Sequence, residues 1–196
     1  YDRDGRLLYE MPSPYTGSHT PVPLEEIPKP LIEATIALED RSFYRNPGID
    51  LRGIARAIWY NLTQQDTDDR PMGGSTITQQ LVRTLMLSSE ERYEQTLRRK
   101  LREAFLAVQI TLRYSKDEIL AFYLNETYYG NLAYGVEAAA QAYYGKHVRD
   151  LGLAECAMLA VLPQAPALWN PLEHLDDAKL RQGIVLDRMV EEGTIN

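Results

Sequence analysis

Three clusters of residues in this chain combine types and spacings that suit acid–base chemistry beside an anion. The first is Glu39-Asp40, followed by Arg41, Phe43 and the turn Asn46-Pro47-Gly48. A carboxylate at a helix C-terminus meets the negative end of the dipole, and a flanking aromatic excludes water. Both favour the neutral form, as a general base working near neutral pH requires. The plainer alternative is an exposed glutamate paired with Arg41 or Arg45. The second cluster is Gly73-Gly74-Ser75-Thr76-Ile77-Thr78-Gln79-Gln80, a small-residue loop that runs into the amphipathic stretch Leu81–Leu85. Thr76 with Gln79 has the spacing of a capping box, and a helix that starts there directs unpaired N–H groups at an anion, phosphate being the usual one. A well-capped helix with no ligand gives the same pattern. The third cluster is Arg98-Arg99-Lys100-Leu101-Arg102-Glu103, which offers more cations than one Arg99–Glu103 surface pair needs and suits a doubly charged phosphate group.

Helices must carry these groups. From Pro30 the pattern is helical, with Leu31, Thr35 and Leu38 on one stripe and Ile32 and Ile36 beside it, and it delivers Glu39 to its C-terminal end. Leu51, Ile54, Ala55, Ile58 and Leu62 form one face of a further segment, with Arg52, Arg56 and Trp59 off it. That fits either a helix lying in a membrane interface or a core helix with solvated arginines. The spacing predicts another helix from about Glu90 to Arg113, with Leu97, Leu101, Phe105, Val108 and Leu112 buried and the cations on its polar side. Ser115 and Glu118 form a second capping box, opening a helix from Ile119 to Asn125. Val136 to Tyr144 is alanine-rich and closed by Gly145. Leu153 to Leu162 is apolar nearly all round and should centre the core, and a last helix covers Asp177 to Glu192. Only Tyr1 to Tyr9 reads as extended, so the chain is mainly α.

At 196 residues the chain is long enough for one sizeable core. Its 44% hydrophobic and 25% charged composition is that of a globular protein. No run reaches the roughly 20 apolar residues of a membrane span. A net charge of −7 argues against nucleic acid as a partner, so an anionic ligand must meet a local cationic cluster. Cys156 lies in an apolar run and reads as a buried small hydrophobe, and the three histidines have no metal-ligand spacing. The start at Tyr1 carries no initiator methionine or signal peptide, which leaves room for an upstream anchor.

Five ordered segments resemble the motifs of the peptidoglycan glycosyltransferases, the domains found in class A penicillin-binding proteins and their monofunctional relatives. They are Glu39-Asp40-Arg41-Ser42-Phe43, Gly73 through Gln80, Arg99-Lys100-Leu101-Arg102-Glu103, Lys116 through Asn125, and Arg181 with Val185-Leu186. The resemblance implies one domain over 1–196, a lysozyme-like helical head with a small hydrophobic jaw at about 49–70 that dips into the membrane. It implies polymerisation of lipid II into glycan strands with inversion, on the extracytoplasmic face of the bacterial cell membrane. An N-terminal anchor and a transpeptidase domain in the same parent chain are further expectations. Glu39 would take the proton of the acceptor hydroxyl, and Glu103 would assist at the donor pyrophosphate, directly or through Mg2+ or Mn2+; no organic cofactor is implied. Asp40, Phe43, Gly74, Ser75, Thr76, Gln79 and Gln80 would line the substrate sites. Arg83, Arg99, Lys100, Asn125, Tyr128 and Arg181 would do the same.

The chain departs from the motif pattern where Asn46 replaces a usual histidine and Arg83 a usual lysine. Two other readings stay open: a lysozyme-like lytic glycosidase acting on peptidoglycan, and a non-catalytic membrane-docking module.

Overall fold

The computed structural model describes residues 17–50, 53, 75–94 and 96–196. The strand expected at Tyr1–Tyr9, nearly all of the 51–62 helix and of the jaw, and the Gly73-Gly74 pair lie outside the described residues. Among those described, helix dominates. Helix α1, Lys29–Glu39, carries Pro30 in its first turn and buries Leu31, Thr35 and Leu38, the stripe the spacing predicts. Helix α2, Ile77–Met86, opens on Thr76, whose side chain accepts from the Gln79 N–H while the Gln79 side chain accepts from the Thr76 N–H. This reciprocal cap fixes where the helix begins.

The helix expected from Glu90 to Arg113 is two helices: α3, Ser89–Tyr93, and α4, Leu97–Arg113. Ser88 caps the first with Glu91, and Thr96 caps the second by accepting from the Arg99 N–H. Two N-cap signals eight residues apart each start a helix of their own.

The face of α4 is also the reverse of the expected one. Glu103 and Ala107 are fully buried, whereas Leu97 and Leu112 are 76% and 82% exposed, and Leu101 and Phe105 are exposed with them. Apolar and charged residues both recur here at the helical period, so periodicity alone did not say which face turns inward. Small Ala107 lets the turn at Gly48 approach: a Cβ on Gly48, whose φ is +96°, would meet the Ala107 carbonyl oxygen at 2.6 Å.

Helix α5, Lys116–Glu126, starts on the Ser115–Glu118 capping box. Helix α6, Val136–Tyr144, ends on Gly145 in the left-handed conformation, as its position after the alanine-rich run predicts. Helix α7, Leu153–Val161, is buried from Cys156 onward and centres the core; Pro163 then breaks it into a 3-10 turn, Leu162–Gln164. Helix α8, Leu175–Glu191, closes the chain. Two short strands escape the sequence reading: β1, Ser18–His19, pairs in parallel with β2, Ala133–Tyr134.

Helices α1, α7 and α8 pack on one another, and α2 packs on α4 and α5. The C-terminal end of α1 meets α2 where these two groups adjoin, and the site lies there.

Candidate active site

The end of α1 presents Glu39, and two glutamine amides hold its carboxylate. Gln80 of α2 donates to Oε2 at 2.6 Å, and Gln164, from the turn after α7, donates to Oε1 at 2.8 Å. Each amide is itself oriented. The Gln164 carbonyl accepts from Arg181 of α8 at 2.6 Å, and the Gln80 carbonyl accepts from the Tyr123 hydroxyl of α5 at 3.2 Å. Burial, with the Glu39 charge nearby, pushes the Tyr123 and Tyr129 phenols well above their ordinary range. Both therefore stay neutral at any physiological pH. Arg41 reaches Glu191 at 2.7 Å and Glu192 at 3.4 Å, so the surface pairing of Glu39 with Arg41 does not form.

Glu39 lines a cavity of about 240 Å³ with Leu38, Ser75, Gln80, Arg83, Pro163 and Gln164. The Ser75 hydroxyl accepts from Lys100 Nζ at 2.6 Å. Lys100 also donates to Glu103 Oε1 at 2.8 Å, and Arg99 donates to Oε2 at 2.7 Å. Glu103 thus lies behind the rim. Its fully buried carboxylate has both oxygens in ion pairs and reaches the cavity only through Lys100 and Ser75. Arg99 and Lys100 take both Glu103 oxygens, and among the described residues no group of three or more His, Cys, Asp or Glu could hold a metal ion.

The residues beside Glu39 and at the start of α2 form a sealed network behind the cavity. Asp40 is buried and accepts from Asn46 Nδ2 at 2.9 Å on both oxygens, from Ser42 at 3.1 Å and from the Ile77 N–H at 3.2 Å. The anion at this helix start is therefore the protein's own Asp40, where sequence suggested a phosphate. Burial pushes the Asp40 carboxyl up, against the pull of Asn46, Ser42, the Ile77 N–H and Lys116. Thr76 and Gln79 are buried in the cap, Thr76 also donating to the Gly48 carbonyl at 2.6 Å. Phe43 is fully buried, with Lys116 Nζ 4.7 Å above its ring centre.

Two expected substrate residues sit elsewhere. The Asn125 amide is spent on the main chain: it donates to Val22 O and Ala121 O and accepts from Val22 N–H, each at 2.9 Å. Its geometry makes it a tether for the segment before α1. Tyr128 packs against Tyr134 with tilted rings, centres 4.9 Å apart, and is exposed. Gly74 lies outside the described residues. Conversely, sequence reasoning missed Gln164 and Tyr123. The signal for Gln164 was present, a polar residue between Pro163 and Pro166 directly after the most apolar run in the chain.

These helices frame one carboxylate in a cavity edged by cationic side chains, the equipment of an enzyme that moves a proton beside an anion. The chain belongs to the transglycosylase family, whose described match spans residues 4–190, and with it to the peptidoglycan glycosyltransferases that its five motifs resemble. It is 43% identical over 196 residues to penicillin-binding protein 1A of Rickettsia conorii, covering 100% of this chain and 24% of that protein. It is 45% identical over 195 residues to penicillin-binding protein 1A of Escherichia coli K12, covering 100% of this chain and 22% of that protein. The chain therefore spans about a quarter of the length of these relatives. The crystal structure of penicillin-binding protein 1A from Haemophilus influenzae is similar with a TM-score of 0.50 and 25% identity, over 92% of this chain and 16% of that one.

Proposed function

We propose that this domain polymerises lipid II into β-1,4-linked glycan strands, with Glu39 as general base. The acceptor's 4-hydroxyl oxygen forms a bond to the donor's anomeric carbon from the face opposite the leaving group, so the configuration inverts. The bond from that carbon to the lipid diphosphate breaks, its electron pair leaves with the diphosphate, and the hydroxyl proton passes to Glu39. The observation that carries this reading is the pairing of Glu39 with Arg83 in one cavity, with Lys100 at its Ser75 edge and Arg181 behind Gln164. A departing diphosphate needs such cations, and a neutral glycan does not. Glu103 then acts by fixing Arg99 and Lys100 at the diphosphate side, and no step is routed through a metal ion.

The substrate's lipid tail requires a membrane surface on the extracytoplasmic side. Among the described residues no helix is long and apolar enough to cross a membrane. The exposed Leu97, Leu101, Phe105 and Leu112 of α4 support a membrane-facing side, in addition to the 51–62 segment of the sequence reading. The greater length of the relatives supports a parent chain that carries an anchor and a transpeptidase domain. Incubation with lipid II and, separately, with finished glycan tests the proposal. Growth of polymer from lipid II is expected; release of short fragments from finished glycan instead identifies a lytic enzyme.

A further inference from the structure

The Glu39 carboxylate is gripped on both oxygens by amides that belong to different helical groups, and each amide presents its N–H end to it. Arginine only donates, so Arg181 can hold the Gln164 carbonyl and leaves only the Gln164 N–H group to face Glu39. On the other side, the neutral Tyr123 hydroxyl donates to the Gln80 carbonyl and holds the amide in place, while the acceptor-only Glu39 carboxylate selects its N–H end. Tyr123 is 2% exposed and lies beneath Gln80, outside the set of residues that line the cavity. Gln164 follows Pro163 in a 3-10 turn, a rigid mount for a side chain that must hold one position.

We infer that Gln164 and Tyr123 are positioning residues for Glu39, fixing the plane of its carboxylate so that one oxygen lone pair faces the incoming hydroxyl. The inference rests on Glu39 being the base. It predicts an effect mainly on the chemical step, because Tyr123 lies outside the cavity and Gln164, which lines it, acts through its bond to Glu39. A misdirected base costs about ten- to a hundredfold in rate, as expected when a reacting group loses its near-attack geometry.

The test uses the full-length protein with lipid II and compares Gln164→Met, Tyr123→Phe, Gln80→Met, the Tyr123→Phe/Gln80→Met double variant and Glu39→Gln. Melting temperatures confirm that each variant is folded. Gln164→Met, which keeps the side chain's length and loses both hydrogen bonds, is expected to lower kcat about tenfold or more with KM within about twofold. Tyr123→Phe is expected to lower kcat when Gln80 is present and to cost nothing further in the Gln80→Met background, because it acts through Gln80. A Gln164→Met enzyme with unchanged kcat, or with KM raised and kcat intact, overturns the inference for Gln164. An equal cost of Tyr123→Phe in both backgrounds overturns it for Tyr123. Polymerisation that survives Glu39→Gln instead removes the base assignment beneath both.

Discussion

The Asn46 amide donates to both carboxylate oxygens of Asp40 at 2.9 Å, and its own carbonyl accepts from the Gly48 N–H at 2.9 Å and from Lys116 at 3.2 Å. One side chain thereby ties the turn after α1 to its buried acid and to α5. An amide has two N–H donors on one atom and a separate acceptor, which suits a bidentate carboxylate on one side and two donors on the other. An imidazole at this position offers one group per ring nitrogen. Asn46→Ala is expected to cost about 2–3 kcal/mol, since a buried carboxylate loses charge-assisted bonds. Asn46→His keeps one donor to Asp40 and is expected to cost less than Asn46→Ala. Urea unfolding of the two variants checks the order.

Glu103 separates Arg99 from Lys100 on a buried face of α4. Glu103→Gln removes the negative charge and leaves two cations side by side. Breaking a buried ion pair from one side costs about 3–5 kcal/mol. Lys100 is about a third exposed, so water relieves part of that cost, and about 2–3 kcal/mol is expected. Lys100→Met keeps the stem, removes the contact to Ser75 at the cavity edge, and is expected to raise KM for lipid II more than it lowers stability. Steady-state kinetics with thermal melts separates the two effects.

Much of this was readable from residue order. The caps at Thr76 and Ser115, the stripe of α1 and the apolar α7 follow from local rules, and each local rule agrees with the tertiary environment. The failures have a common cause: they depend on what packs against an element. Leu101 and Glu103 both lie on regular helical stripes, and the packing of α2, the approach of Gly48 and the bonds of Glu103 to Arg99 and Lys100 accompany the acid inside. Likewise Asp40 accepts from the Ile77 N–H at the helix start for which sequence left a phosphate or a plain cap open, because the turn at Asn46 folds it back over 37 residues of chain. Gln164 joins Glu39 across 125 residues, a relation that no local pattern encodes.

Glu137 of α6 supplies a pH-dependent part of the stability. Burial alone would push its carboxyl up, but donation from the Val148 N–H, Gln141 and His147 outweighs this and holds it below its ordinary value of 4.5. The folded state then binds its proton less readily than the unfolded chain. Its stabilisation is therefore present above about pH 4.5 and is lost as the pH falls through the folded-state value. Glu137→Gln, which loses the charge that anchors Val148 at 2.8 Å, is expected to cost about 1–3 kcal/mol at pH 7. The gap between wild type and variant should close as the pH falls below about 4.5 in a series of chemical denaturations. A gap that stays constant with pH contradicts the assignment.

Glu39→Gln is expected to abolish polymerisation and leave the fold in place, although its surroundings make that second outcome far from automatic. The native carboxylate accepts from Gln80 and Gln164, so a glutamine at position 39 turns one N–H group against another donor. Gln164 cannot answer by turning over, because Arg181 has no acceptor to offer its amide nitrogen. Gln80 can, because the Tyr123 hydroxyl that donates to its carbonyl is equally able to accept from its N–H group. The new amide then accepts from Gln164 and donates to the turned Gln80, and only the Tyr123 hydroxyl proton gives up its acceptor. Glu39→Ala leaves both glutamines without their shared partner and is expected to melt at a lower temperature than Glu39→Gln. Loss of the base should lower the rate by about 10²–10⁴ in both variants. Equal melting temperatures for the two variants would mean that Gln80 does not turn, and a rate within about tenfold of wild type in either would remove Glu39 from the chemical step.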